Sequence, residues 1–262
     1  KLEAALNKRW YGGVKPNLVL LAIALLYQGI NRIRRFLYRK GIFKSVKIPV
    51  PVIVVGNFTA GGTGKTPFTI ELVKAMQNRG WKPGVVSRGY GRENATPVSV
   101  TPTSSARDCG DEPLLIFQRT RCAIRVDSNR VDAAEFLIRQ GCNLIIADDG
   151  LQHLRLQRDI EVELIDHERK YGNGLILPAG PLREHPRECD FKVSNGSLED
   201  DLSTRHFGMQ LIYGDAEKLD ASERRDLNHF SEGKINAVAG IGNPERFFNA
   251  LMARGLKINA IA

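Results

Sequence analysis

Residues 49–76 read PVPVIVVGNFTAGGTGKTPFTIELVKAM and contain the strongest structural signal of the chain. The first part of this stretch, 50–55, is a β-branched run that is typical of a buried parallel strand. The end of the stretch predicts an amphipathic helix over 67–78, with a proline in the first turn, where a missing N–H costs nothing. A strand, a glycine-rich loop, Lys-Thr and a helix in this order indicate a phosphate-binding loop.

The loop has the groups that a nucleoside triphosphate site needs. Glycines let backbone N–H groups converge on a phosphate, and the helix N-terminus adds partial positive charge. We expect Lys65 to reach the β- and γ-phosphates and Thr66 to ligate Mg²⁺. The strict pattern has glycine where this chain has Thr59, whereas a plain glycine turn would not explain Lys-Thr at the helix start. The expected nucleotide-binding residues are Thr59, Ala60, Gly61, Gly62, Thr63, Gly64, Lys65 and Thr66.

Two adjacent acids, Asp148 and Asp149, follow the apolar run NLIIA at 143–147. Paired carboxylates at the carboxyl end of a buried strand are costly unless a cation neutralises them. We therefore expect them beside Mg²⁺, on the metal side of the phosphate site. Spacing does not decide which of the two touches the metal, and a solvated strand-to-loop turn is the alternative.

Strands and helices alternate along the rest of the central region. This alternation predicts an α/β fold of the P-loop NTPase type, with a mostly parallel sheet, helices on both faces and ligands at the carboxyl ends of the strands. We expect a nucleotide-binding domain at 48–195, a connector at 196–233 and the start of a smaller second α/β lobe at 234–262. The chain ends in an apolar run, so we expect that lobe to be truncated. The remaining predicted elements of the first domain are helices over 112–119 and 129–140 and strands over 84–87, 97–101, 122–126, 143–147, 160–165 and 191–194.

The positive charge of the chain is confined to an arm at 1–47. The whole chain has a net charge of +9, and the arm holds eleven Lys or Arg and one acid, Glu3. The remainder holds 27 basic and 28 acidic residues. A protein that binds nucleic-acid backbone needs a basic face on its body, so no nucleic-acid partner is expected. The four scattered cysteines predict neither a disulfide framework nor a zinc site.

The arm contains the apolar run LVLLAIALLY at 18–27, followed by the basic segment RIRRFLYRK at 32–40. The apolar run is about half as long as the ~20 residues that a bilayer-spanning helix needs. An apolar helix followed by cations predicts an interfacial anchor, in which residues 18–40 lie on an anionic membrane surface. A buried core helix with a solvated basic tail would have the same periodicity.

Four further features leave two interpretations each. Arg88, in SRGYGR, could contact a phosphate or an acceptor, or lie in a basic turn. Asp111, in GDEP, could cap a helix or act as a catalytic carboxylate. His153 follows the paired acids and could face the site or be structural, and the loop LPAGPLRE at 177–184 is equally open.

In this order, the motifs resemble those of the tetraacyldisaccharide 4′-kinases, the lipid A 4′-kinases of Gram-negative bacteria. The resemblance covers nearly the whole chain, and its loop without a leading glycine is similar to the family's own loop. It depends on the N-terminal apolar helix and on GNFTAGGTGKTP, SRGYGR, GDEP, ADDGLQH, LPAGPLRE and AGIGNPERFF.

The resemblance implies that ATP, with Mg²⁺, phosphorylates the 4′-hydroxyl of a membrane-embedded tetraacylated glucosamine disaccharide 1-phosphate. It implies the cytoplasmic face of the bacterial inner membrane as the location, and no obligate protein partner. It also implies that Asp111 is the catalytic base, acting with Lys65, and that Glu184 contributes to the metal site. Implied contacts to the acceptor come from Arg88, Glu112, His153 and Arg183. A histidine that the family pairs with the base would lie beyond residue 262, so we expect either that the sequence is partial or that the protein is impaired.

Two other classes of membrane-attached P-loop protein remain as alternatives. A GTPase switch would need an Asn-Lys-x-Asp segment to read guanine, and the sequence has none. A scaffold that binds ATP without transferring phosphate would keep the loop but have no use for Asp111.

Overall fold

The structure is a computed structural model that describes residues 2–218, 220, 222–241 and 244–261. The chain divides into two compact units, Lys1–Met209 and Gln210–Ala262. No helix in the described part of the chain has the length and apolar character needed to cross a membrane.

The first unit is built on an eight-stranded sheet with the order β3-β4-β2-β5-β1-β6-β7-β8. All neighbouring pairs are parallel except β3 and β4. This confirms the predicted mostly parallel α/β fold. The strands are β1 Val52–Gly56, β2 Pro83–Ser87, β3 Val98–Ser99, β4 Ala123–Val126, β5 Leu144–Asp148, β6 Ile160–Asp166, β7 Phe191–Asn195 and β8 His206–Met209.

Side chains from β1 and from the helices form two apolar cores, one on each face of the sheet. Val54 belongs to one core and Val55 to the other, because successive side chains of a strand point to opposite faces. Burial on both faces explains why this strand is β-branched throughout rather than alternating with polar residues. The helices of this unit are α1 Leu2–Tyr11, α2 Leu18–Arg39, α3 Lys65–Asn78, α4 Ala106–Cys109, α5 Asp111–Thr120 and α6 Arg130–Arg139.

The centre of the sheet places the motif residues side by side. Strand β1 lies between β5 and β6, and Val55 is in register with Asp148. The glycine-rich loop leaves β1 at this level and enters α3 at Lys65. Gly64, just before the helix, has a φ of 89°, a conformation that glycine adopts without strain.

The second unit contains the β-α-β arrangement that the end of the sequence predicts. Strands β11 Lys234–Val238 and β12 Lys257–Ile261 are parallel and are connected through α7 Pro244–Ala253, as parallel strands require a crossover. Phe248 and Leu251 pack into its core. Two short strands, β9 Ala216–Glu217 and β10 Arg224–Arg225, and a 3₁₀ turn, Leu227–Phe230, precede it. Gly242 and Asn243 of the AGIGNPERFF motif lie outside the described residues.

The boundary between the units differs from the sequence-based division. The segment interpreted as a connector, 196–233, contributes β8 to the main sheet, and the division falls within it, after Met209. An edge strand of four residues among polar neighbours gives little periodic signal in the sequence. The arm at 1–47 is part of the first unit. The functional division into these segments stays a prediction.

Candidate active site

The side chain of Lys65 lies at the centre of the site and is only 8% exposed. Its Nζ donates a 3.1 Å hydrogen bond to Oδ1 of Asn57 and lies 3.6 Å from Oδ1 of Asp149. Asn57 is fully buried, and its Nδ2 donates to the carbonyl oxygen of Thr59 at 2.8 Å. A residue inside the loop therefore fixes both the loop backbone and the lysine.

Backbone hydrogen bonds attach the first half of the loop to the LPAGPLRE segment. The N–H of Ala60 donates to the carbonyl of Pro181, and the N–H of Arg183 donates to the carbonyl of Phe58, both at 2.7 Å. The buried Thr59 occupies the position where the strict pattern has glycine. It pairs with Leu182 in an isolated antiparallel bridge, so an extended, paired conformation replaces a free glycine turn there.

The second half of the loop is open to solvent at Gly61 and Gly62. The buried hydroxyl of Thr63 has no hydrogen-bond partner among the described residues. Thr66 is half-buried and is the second residue of α3. The loop thus brings the predicted nucleotide-binding residues 59–66 together at one edge of the sheet.

Asp148 is a buried carboxyl whose two oxygens have different surroundings. Its Oδ1 accepts a 3.1 Å hydrogen bond from the hydroxyl of Thr69, while Oδ2 has no partner among the described residues. Burial, together with the charges of Glu112 and Asp149, raises the pKa of Asp148 to about 7. A cation close to Oδ2 would remove much of the cost of ionising this group.

Asp149 has different surroundings, although it is the next residue. Its φ is 50°, a left-handed conformation that aspartate tolerates better than most residues. Burial disfavours its charge, but Lys65 and Arg183 outweigh burial and hold the pKa of Asp149 below its usual value. Both of its carboxylate oxygens accept from Nη1 of Arg183, at 2.9 and 2.8 Å.

Arg130 is a buried cation that the sequence analysis missed. It is 3% exposed, and its guanidinium donates to the carbonyl of Asp127 at 2.7 Å and to that of Asp148 at 3.5 Å. Burial lowers the pKa of Arg130 to about 10, and the charges of Asp148 and Asp149 oppose this shift. The available signal was its position as the first residue of α6, shortly after the carboxyl end of β4.

The GDEP and SRGYGR motifs lie next to each other. Gly110 is the N-cap of α5, and Asp111 is the first residue of that helix, so Asp111 is not the helix cap. A Cβ on Gly110 would lie 3.1 Å from Cα of Gly89, which shows how closely the two loops approach. Asp111 is exposed, and its carboxylate makes no hydrogen bond or ion pair with another described residue.

Arg88 and Glu112 are exposed and influence the buried charges of the site. The charge of Glu112 raises the pKa of Asp148, after the larger effect of burial. The charge of Arg88 lowers the pKa of Arg130, again after burial. Glu112 is therefore within electrostatic range of Asp148, and Arg88 is within range of Arg130, which contacts the carbonyl of Asp148.

His153 is half-buried in the loop that follows the paired acids, and its Nε2 has no partner among the described residues. Burial, with the charges of Arg130 and Arg158, lowers the pKa of His153 to about 4. Its ring is therefore neutral at neutral pH and can donate or accept a hydrogen bond.

Glu184 lies between α2 and the ADDGLQH loop. It is 6% exposed, its Oε2 is 3.2 Å from Nη1 of Arg35, and its Oε1 accepts from Nε2 of Gln152 at 3.3 Å. Burial raises the pKa of Glu184, although Arg35 and Arg187 oppose the shift. Both oxygens have partners, and the metal role that the resemblance implied for Glu184 stays a prediction. The described residues contain no group of three or more His, Cys, Asp or Glu that could hold a metal ion by themselves.

Helix α2 has two different faces. On the inner face, Ala24 is buried in the core, Asn31 donates to the carbonyl of Arg183 at 3.0 Å, and Arg34 donates to the carbonyl of Gln152 at 2.7 Å. On the outer face, large apolar side chains are 46% to 83% exposed. They are Leu18, Val19, Ile23, Leu25, Leu26, Ile30, Ile33 and Phe36.

A groove of about 920 Å³ lies between the second half of α2 and residues 154–158. Cations and apolar side chains line it together, including Arg32, Arg39, Ile33 and Phe36. Arg32 and Arg39 make no ion pair with another described residue. The basic lining is therefore continuous with the exposed apolar face of α2.

Comparison with known proteins agrees with the motifs. The family model for tetraacyldisaccharide-1-P 4′-kinases (LpxK) matches residues 16–262. A tetraacyldisaccharide 4′-kinase of Stenotrophomonas maltophilia is 48% identical over 259 residues, which cover 95% of this chain and 76% of the relative. One from Xylella fastidiosa is 46% identical over 258 residues, with the same coverage.

A solved structure supports the same assignment. The crystal structure of the "apo" form of LpxK from Aquifex aeolicus in complex with ATP has a TM-score of 0.75 and 26% sequence identity. The match covers 100% of this chain and 81% of that one. The sequence-based resemblance is confirmed, and the chain belongs to the family of tetraacyldisaccharide-1-P 4′-kinases.

Proposed function

We propose that this protein transfers the γ-phosphoryl group of ATP to the 4′-hydroxyl of a tetraacylated glucosamine disaccharide 1-phosphate at the cytoplasmic face of the inner membrane. The observation that carries this proposal is the meeting of three motifs at one lysine. Lys65 contacts Asn57 of its own loop and Asp149 of ADDGLQH, and Asp149 is held in turn by Arg183 of LPAGPLRE.

Residues 59–66 supply the phosphate site in this proposal. Their backbone N–H groups and the N-terminus of α3 favour an anion. Lys65 has two acceptors near it, Asn57 at 3.1 Å and Asp149 at 3.6 Å. A phosphate oxygen would replace these contacts and would stabilise the charge that develops during transfer.

The residues present fit a Mg²⁺ ion. Oδ2 of Asp148 is buried without a partner among the described residues, which is the kind of oxygen that a hard cation binds. Thr66 and Asp148 would hold the ion, with Asp149 beside it. Magnesium in such sites uses one or two protein carboxylates together with phosphate oxygens, so a cage of three acids is not needed. When bound, the ion neutralises charge on the phosphates.

Asp111 is the proposed base for the acceptor. It is exposed at the start of α5, beside the SRGYGR loop. The hydroxyl oxygen forms a bond to the γ-phosphorus as the bond to the β–γ bridging oxygen breaks, and Asp111 takes the hydroxyl proton. Arg88, Glu112, His153 and Arg183 are the proposed contacts to the sugar and its phosphate.

The outer face of α2 supports location at a membrane surface. Exposed side chains such as Leu25 and Leu26 would enter the boundary between headgroups and acyl chains, and Arg32 and Arg39 would attract anionic lipid at about 1 kcal/mol each. An acceptor with four acyl chains stays in the membrane, so its kinase must bind there. No nucleic-acid partner is part of this proposal.

Incubation with labelled ATP and lipid acceptors tests the function, with the position of the new phosphate read by mass spectrometry. Asp111→Ala should lose transfer to the disaccharide but still bind ATP. Asp132→Ala, which removes an exposed acid from α6, is the matched control and should keep the parent rate. Unchanged turnover of Asp111→Ala would contradict its role as base, and a product phosphorylated elsewhere would contradict the 4′ assignment.

A further inference from the structure

A chain of polar contacts connects α2 to the phosphate-binding lysine. Arg35 lies 3.2 Å from Glu184, and Glu184 accepts from Gln152 at 3.3 Å. The same Nε2 of Gln152 donates to the carbonyl oxygen of Asn57 at 3.0 Å. Asn57 accepts from Nζ of Lys65 at 3.1 Å. Four contacts thus connect α2 to Lys65 at the centre of the site.

A second route begins one turn earlier on the same helix. Asn31 donates to the carbonyl oxygen of Arg183 at 3.0 Å, and the side chain of Arg183 holds both oxygens of Asp149. Asp149 in turn lies 3.6 Å from Nζ of Lys65. The two routes pass through different residues of the same two motifs, LPAGPLRE and ADDGLQH, and end at the same atom.

The geometry makes these routes stiff. Glu184, Asn57 and Lys65 are all less than 9% exposed, and hydrogen bonds in such low-dielectric surroundings are stronger than in water. Removing one partner leaves a buried polar group unsatisfied, so the neighbours must move to compensate. Asn31 and Arg35 lie one turn apart on α2, a spacing that places both on the same side of a helix.

We propose that α2 is a positioning element of the phosphate site, and that Arg35 is a positioning residue that acts on Lys65 through Glu184, Gln152 and Asn57. This inference depends on the proposed function, because it assigns the chain of contacts a role in ATP binding. It gives the helix a role in nucleotide affinity that is separate from its attraction to lipid. Loss of Arg35 then alters the site even when no membrane is present.

The test uses the full chain without lipid and measures binding of a non-hydrolysable ATP analogue. Arg35→Gln should weaken binding about 3- to 10-fold, in the range measured for residues that couple to a site through other residues. Arg35→Lys keeps a cation for Glu184 and should stay within about twofold of the parent. Arg32→Gln removes the same charge from the same helix, but Arg32 has no partner among the described residues. It should weaken vesicle binding without changing analogue affinity.

Kinetics with the lipid acceptor add a readout that general loosening of the structure would not give. Arg35→Gln should raise the KM for ATP while kcat at saturating ATP stays within about twofold of the parent. Gln152→Ala removes the two contacts in the middle of the chain, to Glu184 and to Asn57, and leaves the charge of α2 intact. It should weaken analogue binding at least as much, which keeps the test decisive if Arg35→Gln does not fold.

If both Arg35→Gln and Gln152→Ala bind the ATP analogue as tightly as the parent does, the inference is overturned. Helix α2 would then be a membrane anchor only. Equal weakening by Arg32→Gln and Arg35→Gln would also overturn it, because the effect would then be one of charge alone. Failure of the parent chain to bind the analogue would instead contradict the proposed function, so the two failures are distinguishable.

Discussion

One terminal nitrogen of Arg183 bridges the two carboxylate oxygens of Asp149, at 2.9 and 2.8 Å. The preceding residue, Asp148, uses one oxygen for Thr69 and leaves the other without a partner among the described residues. The two adjacent acids are therefore not equivalent. Asp149 balances the charges of Lys65 and Arg183, whereas Asp148 has an oxygen available for a cation.

A magnesium titration should separate these two acids. Asp148→Asn should raise the Mg²⁺ concentration for half-maximal kinase activity by about tenfold or more, because it removes a direct ligand. Asp149→Asn should lower kcat but shift this concentration much less, because its oxygens face Arg183. A larger shift in Asp149→Asn than in Asp148→Asn would reverse the assignment.

Substitution of the loop lysine should abolish transfer while the fold persists. Lys65→Ala removes the cation placed to stabilise the migrating charge, and we expect kcat to fall roughly 10²-fold or more. Lys74→Ala, which changes a half-exposed lysine on the same helix that pairs with Glu71 at 2.8 Å, should keep the parent kcat. Steady-state rates with the lipid acceptor would decide, and a Lys65→Ala enzyme of normal kcat would exclude this role.

The outer face of α2 should control membrane binding. Leu25→Ser/Leu26→Ser removes two side chains that are 68% and 69% exposed, so the fold should tolerate the change. Loss of roughly 1–2 kcal/mol of apolar transfer for each of the two leucines predicts about 30- to 700-fold weaker partitioning into anionic vesicles. Leu115→Ser, at a position 40% exposed on α5, is the control and should partition like the parent.

Sedimentation with the vesicles measures this, and equal partitioning of the three proteins would contradict the anchor. Deletion of residues 1–40 is a poorer test than these substitutions. Ala24 is part of the buried core, and Arg35 pairs with Glu184, so a truncated chain would lose stability as well as lipid contacts.

The surroundings of His153 predict that the free energy of unfolding decreases when the pH is lowered below neutrality. Burial and nearby arginines lower the pKa of its folded form from 6.5 to about 4. Between these values the unfolded chain binds a proton that the folded chain does not, so the free energy of unfolding falls as the pH falls from 6.5 to 4. Because the ring is partly exposed, we expect about 1–2 kcal/mol from this residue.

Denaturant unfolding at pH 7.5 and at pH 4.5 would measure the effect. The difference in the free energy of unfolding between the two pH values should be smaller in His153→Gln than in the parent. His167→Gln, at an exposed position, provides the control and should keep the parent's difference. An unchanged difference in His153→Gln would show that its titration does not contribute.

The core of the fold was predictable because its signals are local. The β-branched run and the loop placed β1 at 50–55 and α3 at 67–78, against 52–56 and 65–78 in the structure. Helix α3 begins two residues before the predicted start, because Pro67 is compatible with the first turn of a helix. Helix α4, with four residues, and the pairing of β8 were not predicted, since short elements have no periodic pattern.

The site was predictable only in part, because many of its contacts join distant residues. Motif spacing indicated Lys65 and the paired acids, and the resemblance supplied the acceptor residues. Neither revealed that Asn57 and Gln152 hold the loop, since Gln152 is 95 positions from the carbonyl it binds. The contact between Arg35 and Glu184 spans 149 positions and depends on how α2 packs. No local pattern encodes such pairs.

The sidedness of α2 has a consequence for mutational scanning. In a screen for kinase activity in detergent, substitutions at Ala24 or Asn31 would be harmful. Polar substitutions at Leu25 or Leu26 would have no effect there. With the acceptor embedded in anionic vesicles, the same polar changes at the leucines should become harmful, because activity would then depend on binding to the bilayer. The positions of α2 that tolerate polar substitution would then differ between detergent and a membrane. The positions that differ would recur along the sequence with a period close to that of the helix.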